Sequence, residues 1–367
     1  MRRSNGGSRG PVASAAALTA ALLLGGCTQQ VSVPEATPVD GKLCALSDSA
    51  GFDDQGLNRE LYVALQKAKV AWGVPLSLYS LAATETHEDA RARLQKLVDG
   101  NCTVILASGD FLSTDVLAVA SANPVAKFVL SDHHFVASNP DVASTQVVPA
   151  NVHYIANQLA EPAFLAGYLA AMSSQSNFVA VLPAIASVRT PLQTKLEKAF
   201  RAGVTYYSNH GGEQVQVKVV EAIPKIGPVS AAIKLVLQGL VDSGVDRVFV
   251  LAAKDFETVA TVSEEFKELQ LIGTERDWAL VKSTSKHSPR ILASIVRAKN
   301  VNSIYQQIGY WLGKIETLAA PDAIEVNDLI NQGTIVTDAH DIAYPAGYQA
   351  AIEPLTALLT SDQGMTK

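Results

Sequence analysis

The 367-residue chain carries 29 Lys and Arg against 35 Asp and Glu, a formal net charge of −6 that argues against a nucleic-acid partner. Charged residues make up only 17% of a chain longer than one core usually supports, so two compact lobes are expected. No window repeats at a fixed period, and no apolar run reaches the roughly 20 residues that a membrane-spanning helix needs.

Residues Met1 to Gly26 stand apart from the fold. Arg2, Arg3 and Arg9 make a basic start, and Val12 to Leu24 is apolar but short, which is the pattern of a removable signal peptide. Leu24-Gly25-Gly26-Cys27 is similar to a bacterial lipobox, whose cysteine becomes lipidated and N-terminal; the alternative is an ordinary secretory signal with an incidental cysteine. Lipidation would anchor the protein on the outer face of the cytoplasmic membrane. Losing the three arginines would take the net charge from −6 to −9. Thr28 to Gly41, with Pro34 and Pro38 and no apolar periodicity, is expected to be a flexible tether.

The first strand is expected at Leu43–Leu46, an apolar run too short for a helix and bounded by the turn-forming stretch Ser47 to Gly51. A helix follows, because Leu57, Leu61, Ala64, Leu65, Ala68 and Trp72 recur on one face of a 3.6-residue period, with Arg59, Glu60, Lys67 and Lys69 elsewhere. Strand, acidic loop and helix together aim Asp53, Asp54 and Asn58 at the crevice where open parallel sheets bind ligands. One of the two aspartates is expected to cap the helix, leaving the other for the crevice.

Further strands are expected at Leu76–Tyr79, Thr103–Ala107, Lys127–Leu130 and Thr145–Val148, with Thr86 capping a helix that ends at Gly100 and Asn123-Pro124 stopping the next. A second set follows at Phe178–Leu182, Val215–Val220, Arg247–Leu251 and Leu271–Ile272, spaced by helices near Leu192–Ala202, Val229–Val241 and Thr258–Leu269. Gly203 and Gly244 are read as lying just past two of these. The fold class is therefore α/β, with two doubly wound lobes in tandem. Cys44 and Cys102 fall at or near the starts of neighbouring strands, and an exported protein permits a disulfide; bridged cysteines and two buried thiols both remain open.

The sequence has no GxSxG elbow, Walker A loop, GxGxxG after a strand, or HExxH, so no enzyme and no cofactor is expected. The best metal candidate, Asp132-His133-His134, would need partners such as His153 or His340, and no metal is expected there.

Three segments carry a family resemblance. Asp53-Asp54-Gln55-Gly56-Leu57-Asn58, running on to Ala64-Leu65, resembles the loop DDKSFNQSxxxGL of the basic membrane protein family of substrate-binding lipoproteins, which includes purine nucleoside receptors of ABC importers. Phe164 to Ala171 is similar to that family's SFLAGYLAA helix, and Ile272-Gly273-Thr274-Glu275-Arg276-Asp277 lies where it usually has IGVDSD. The resemblance implies a type I periplasmic-binding-protein-like fold whose lobes exchange late pieces of chain through a hinge. Lobe 1 is then placed at 42–152 plus about 299–325, and lobe 2 at 153–298 plus about 326–367. Crossings are expected near Asn151 to Tyr154, Arg297 to Val301 and Asp322 to Val326.

It also implies a monomeric receptor that captures a nucleoside or similar small polar ligand and serves an ABC permease. An envelope sensor or regulatory lipoprotein without a permease is the alternative. Asp132 would be a ligand contact, and Glu275 and Asp277 would oppose it from the second lobe, since carboxylates can accept bonds from two vicinal hydroxyls. Arg297 falls where the family often has a lysine, and its charge would hold those carboxylates ionised. Ligand contacts are thus expected at Asp53, Asn58, Asp132, Glu275, Asp277 and Arg297. Leu57 in place of Phe, Glu275 in place of Asp, and Lys254 in a loop where the family usually has glycines all depart from the pattern and leave ligand identity open.

Overall fold

Leu43, Cys44, Ala45 and Leu46 are all fully buried, because their strand has helices on both faces. In the computed structural model, which describes residues 41–132, 148–183, 190–224, 226–251, 253–318, 324–337 and 340–359, they form β1 (Leu43–Ser47). Its helix α1 (Leu57–Trp72) buries Leu57, Leu61, Ala64, Leu65 and Ala68, and stops at Gly73, whose φ of 67° is the left-handed conformation that ends helices. The chain continues through β2 (Leu76–Ser80), α2 (His87–Asp99), β3 (Val104–Ser108), α3 (Asp110–Ala122), β4 (Lys127–Asp132) and β5 (Val152–Asn157). Thr86 caps α2 reciprocally with Asp89, in a capping box.

A second run follows: α4 (Ala160–Ser173), β6 (Phe178–Leu182), α5 (Pro191–Asn209), β7 (Gln216–Val219), α6 (Val229–Val241), β8 (Arg247–Val250), α7 (Phe256–Ser263), β9 (Gln270–Glu275) and β10 (Ile291–Val296). The described chain ends with α8 (Asn300–Trp311), β11 (Ile324–Asn327), β12 (Ile335–Val336) and α9 (Tyr348–Leu359). Two six-stranded sheets result, ordered β11-β5-β4-β3-β1-β2 and β12-β10-β9-β8-β6-β7. All pairings are parallel except that of β12 with β10. Each sheet has an apolar cluster on each face, so both lobes are doubly wound α/β layers.

Late pieces of chain are exchanged between the lobes. Helix α8, reached from β10 of the second sheet, packs on α1 of the first lobe, where Trp72 stacks on Tyr305 at 4.6 Å and Lys67 lies over the same ring. Strand β11 joins the first sheet, while β12 and α9 return to the second lobe. The first sheet keeps β5 up to Asn157, and the range Asn151 to Tyr154 expected for the first crossing overlaps that strand. Of the strand expected at Thr145–Val148, residues 145–147 lie outside the described residues, and Val148 is not in a strand.

Two expectations are corrected by packing. Gly203 does not end a helix: α5 runs on to Asn209, and Gly203 sits inside it. The reason is a close helix crossing. A Cβ on Gly203 would lie 1.9 Å from the carbonyl oxygen of Phe164, and one on Gly167 would lie 2.0 Å from that of Phe200, so α4 and α5 touch backbone to backbone through two glycines. The helix expected at Thr258–Leu269 is the shorter α7, which starts earlier and is followed by turns from Glu264. Gly244, by contrast, does lie just beyond α6, with a φ of 81°.

Cys44 and Cys102 are joined in a disulfide with Cα atoms 5.8 Å apart, tying β1 to the approach to β3 across 58 residues of sequence. In the chain-entropy account, closing a loop of that size stabilises by about 4 kcal/mol. Reduction with dithiothreitol should therefore lower the melting temperature of the chain by several degrees, measured by circular dichroism; an unchanged transition would show that the bond contributes little. The helix crossing is tested separately by urea unfolding. Gly167→Ala and Gly203→Ala should each destabilise by about 3 kcal/mol or more, because a backbone clash has nowhere to relax. Gly239→Ala should stabilise by roughly 0.5 kcal/mol, since Gly239 lies within α6 and its Cβ would meet nothing within 4 Å.

Candidate functional site

The carboxyl ends of β1, β3 and β4 in one lobe and of β9 and β10 in the other carry or adjoin the candidate polar side chains. Neither aspartate occupies the N-cap of α1, which is Gly56, but Asp54 supplies the capping acceptor from two residues before it. Its carboxylate accepts the backbone N–H groups of Gly56 at 2.8 Å, Arg59 at 2.9 Å and Asn58 at 3.2 Å, the otherwise unpaired donors at the start of α1. Burial pushes the Asp54 carboxyl above the usual carboxylate range; the three N–H bonds pull the other way, and the charge of Glu275 adds to the rise. Asp53 instead points into solvent, its side chain 94% exposed, with Arg59 3.4 Å away. Asn58 is buried and fully committed. Its amide donates to Asp48 and Asp54 at 2.9 and 3.0 Å, and its oxygen accepts from Ser108 at 2.6 Å. Asn58 thus pins the loop that follows β1 to the end of β3.

Asp132 is buried at the end of β4, accepting hydrogen bonds from Ser113 and, at 3.1 Å, from the hydroxyl of Tyr154. Asp277 pairs with His340 at 2.9 Å within the second lobe. Lys254 is exposed in the turn that follows β8, and Leu57 is buried at the start of α1. Of the expected contacts, the structure brings Glu275 and Arg297 directly together.

The Arg297 side chain has no solvent exposure and is gripped from both lobes. Its Nε and Nη2 donate to the two carboxylate oxygens of Glu60 on α1 at 2.9 and 3.0 Å, a bidentate fork, while Nη1 pairs with Glu275 at the end of β9. Burial alone would pull the guanidinium's pKa down; the charges of Glu275 and Glu60 outweigh it and hold the group above its ordinary value. Beside this, Arg276 of the second lobe donates to the side chain of Gln55, which sits in the first lobe's loop with a φ of 61°. Glu275 reaches so far across that a Cβ on Gly56 would lie 3.3 Å from its Oε2.

A buried polar network extends from Glu60 into the crossings between lobes. Asn300, at the start of α8, donates to Glu60 at 2.6 Å and accepts from Ser131 at 2.7 Å and Asn157 at 3.3 Å; Asn327 in turn donates to Asn157 at 3.3 Å. Neither Glu60 nor these asparagines were marked out by sequence reasoning. Glu60 carries one signal, since it stands at the second serine of the loop pattern DDKSFNQSxxxGL. Asp48 was missed as well, although its place immediately after β1 is where strand-end ligands are met; its Oδ1 accepts from Asn58 and from the N–H of Ala50.

Among the described residues no three His, Cys, Asp or Glu side chains converge as a metal site. His133 and His134 of the metal candidate lie outside the described residues, while His153 lies 3.3 Å from Glu325.

The family model described as "ABC transporter substrate-binding protein PnrA-like", Bmp, matches residues 42–310. The chain belongs to the Bmp family. Its members are substrate-binding proteins of ABC transport systems, which take small-molecule ligands and work with permeases. A search of curated proteins gives no match. Solved structures share the fold. An ABC solute-binding protein from Aeropyrum pernix K1 is similar with a TM-score of 0.62 and 17% identity, over 89% of this chain and 82% of that one. Another from Conexibacter woesei DSM 14684 gives 0.62 and 15%, over 89% and 99%. A transcriptional activator of the comK gene from Bacillus halodurans gives 0.60 and 17%, over 89% and 100%.

The two neighbouring aspartates of the Bmp loop have separable roles that denaturation can read. Asp54→Ala should lower stability by about 2 kcal/mol through loss of the helix cap, whereas Asp53→Ala should change it by less than about 0.5 kcal/mol, as expected for an exposed charge. Equal effects of the two substitutions would refute the assignment of the cap.

Proposed function

We propose that this Bmp-family chain is an extracytoplasmic lipoprotein that captures a nucleoside or similar small polar ligand between its lobes and hands it to the permease of an ABC importer. The observation that carries this reading is the arrangement of acceptors at facing strand ends: Asp48 and Asp54 on one side, Glu275 on the other, with Arg297 beside them. Carboxylates held by cations and backbone N–H groups favour a ligand that donates several hydrogen bonds, as a sugar ring or nucleoside does. Asp132, Asp277 and Asn58 support the reading less directly, by shaping the strand ends from behind. The anchor is proposed from Cys27 and its preceding Leu24-Gly25-Gly26, and no catalytic role is assigned. The protein is taken to act as a monomer on the outer face of the cytoplasmic membrane.

A regulatory binding protein of the same fold is the second reading, favoured by the likeness to the comK activator. The experiment is a thermal-shift screen of the detergent-solubilised full chain against nucleosides, bases and sugars. A ligand at 100 times its Kd should stabilise by about 2.7 kcal/mol, and the absence of any shift would overturn ligand capture of this class. Uptake of the ligand by cells lacking the gene then separates importer from regulator. Cys27→Ala should release the protein from the membrane fraction or stall its maturation, and firm retention would exclude the lipid anchor.

A further inference from the structure

Four positions at which this chain differs from the Bmp loop and strand-end patterns meet at one point in space. Glu60 stands for a serine, Gly56 for a serine, Glu275 for an aspartate, and Arg297 for the usual lysine. Glu60 lies on α1 of the first lobe, Glu275 at the end of β9 of the second, and Arg297 on the segment that leaves β10 for α8. Glu275 is one methylene longer than aspartate, and its Oε2 occupies room beside Gly56 that a side chain there would crowd, at 3.3 Å from the Cβ position. Arg297 supplies the planar fork that a lysine lacks, so it can hold both oxygens of Glu60 and still reach Glu275 through Nη1. Together they satisfy one another.

We propose that Glu60, Arg297 and Glu275 form a latch between the lobes, in which one guanidinium shared by a carboxylate from each lobe favours the closed arrangement before a ligand enters. Glu60 is then a positioning residue: it sets Arg297, and Arg297 sets Glu275 at the end of β9. Asn300 fixes Glu60 from the hinge side at 2.6 Å, so the latch is braced by the same network that joins the crossings. Arg276 and Gln55 add a second contact across the same line. A latch of this kind raises the closed fraction of the ligand-free protein, and with it the apparent affinity for whatever the closed form binds. The inference rests on the cleft being the binding site, but its test needs no ligand, so the two fail separately.

Hydrogen–deuterium exchange of the ligand-free full chain reads the latch directly. Glu60→Gln, made in the first lobe, should speed exchange of peptides covering 272–280 in the second by roughly tenfold, the size of effect expected for a lost bond to a charged group. Glu275→Gln should do the same reciprocally to peptides covering 50–58. Arg297→Lys keeps the charge without the fork, is expected to fold, and should speed both peptides by a smaller factor. Strands β6 and β8 should exchange unchanged in all three. Effects confined to the lobe carrying each substitution, with the opposite peptide unmoved, would overturn the latch and leave Glu60 as a local packing residue. So would wild-type exchange at both peptides in Arg297→Lys.

Discussion

A guanidinium with no access to water must be surrounded by acceptors, and this requirement at Arg297 organises much of the molecule. Breaking such a pair by removing one partner is strongly destabilising, because a charge is left buried and uncompensated. Glu60 and Glu275 meet the requirement from opposite lobes, and Glu60 is in turn held by Asn300. The three passages of chain between lobes face a related difficulty, since each leaves regular structure at the molecule's interior. Each brings an asparagine. Asn157 at the end of β5, Asn300 at the start of α8 and Asn327 at the end of β11 bond to one another, directly or through the amide between them, and the first two share Ser131. A side-chain amide offers two donors and an acceptor on a short stem, which suits a place where three chain segments converge.

This arrangement has a consequence for how the lobes communicate. Asn157 also donates to the backbone carbonyl of Asp132 at 3.1 Å, so the hinge network touches the end of β4 as well as α1. The strand ends that frame the cleft are thus fixed from behind by the same groups that join the crossings. The crossings between lobes and the strand ends share hydrogen bonds, which, on the proposed reading, gives a physical route by which occupancy of the cleft and the angle between lobes become one equilibrium.

The parts of the fold set by apolar spacing were legible in the sequence. Strands β1, β3, β4 and β6 stand close to where apolar runs put them, because burial on both sheet faces demands such runs, while the exposed edge strand β2 and helices α1 and α2 stand where alternation, helical periodicity and capping residues put them. What was illegible has specific causes. Gly203 looked like a helix end, yet the glycine is needed mid-helix because Phe164 of another helix approaches its backbone, a fact of tertiary packing invisible to local pattern. Strand β5 contains His153 and Asn157, polar residues that are buried only because Glu325, Ser131 and Asn300 arrive from distant sequence to bond them. Among the site residues, the loop after β1 was located, but which aspartate capped the helix depended on a backbone course that only coordinates supply. Glu60 falls off the apolar face of α1, and helical periodicity carries no sign that Arg297 and Asn300 meet it there from distant sequence.

Glu60 also shows why departures from a family pattern are better weighed in groups than singly. Against the loop pattern, a glutamate in place of serine on the first turn of α1 reads as a surface change, and Glu275 in place of aspartate reads as damage to a ligand contact. In space the two carboxylates lie on either side of Arg297, and the lost side chain at Gly56 leaves room for that of Glu275. Neither glutamate explains itself without the arginine: a carboxylate added at Glu60 would repel the one at Glu275, and an arginine with one carboxylate would leave part of its fork buried and unmatched. The cluster is therefore a single unit of three charges and one vacated volume. A ligand taken up between the lobes, as proposed, would meet that unit as fixed structure on which its own hydrogen bonds are superimposed.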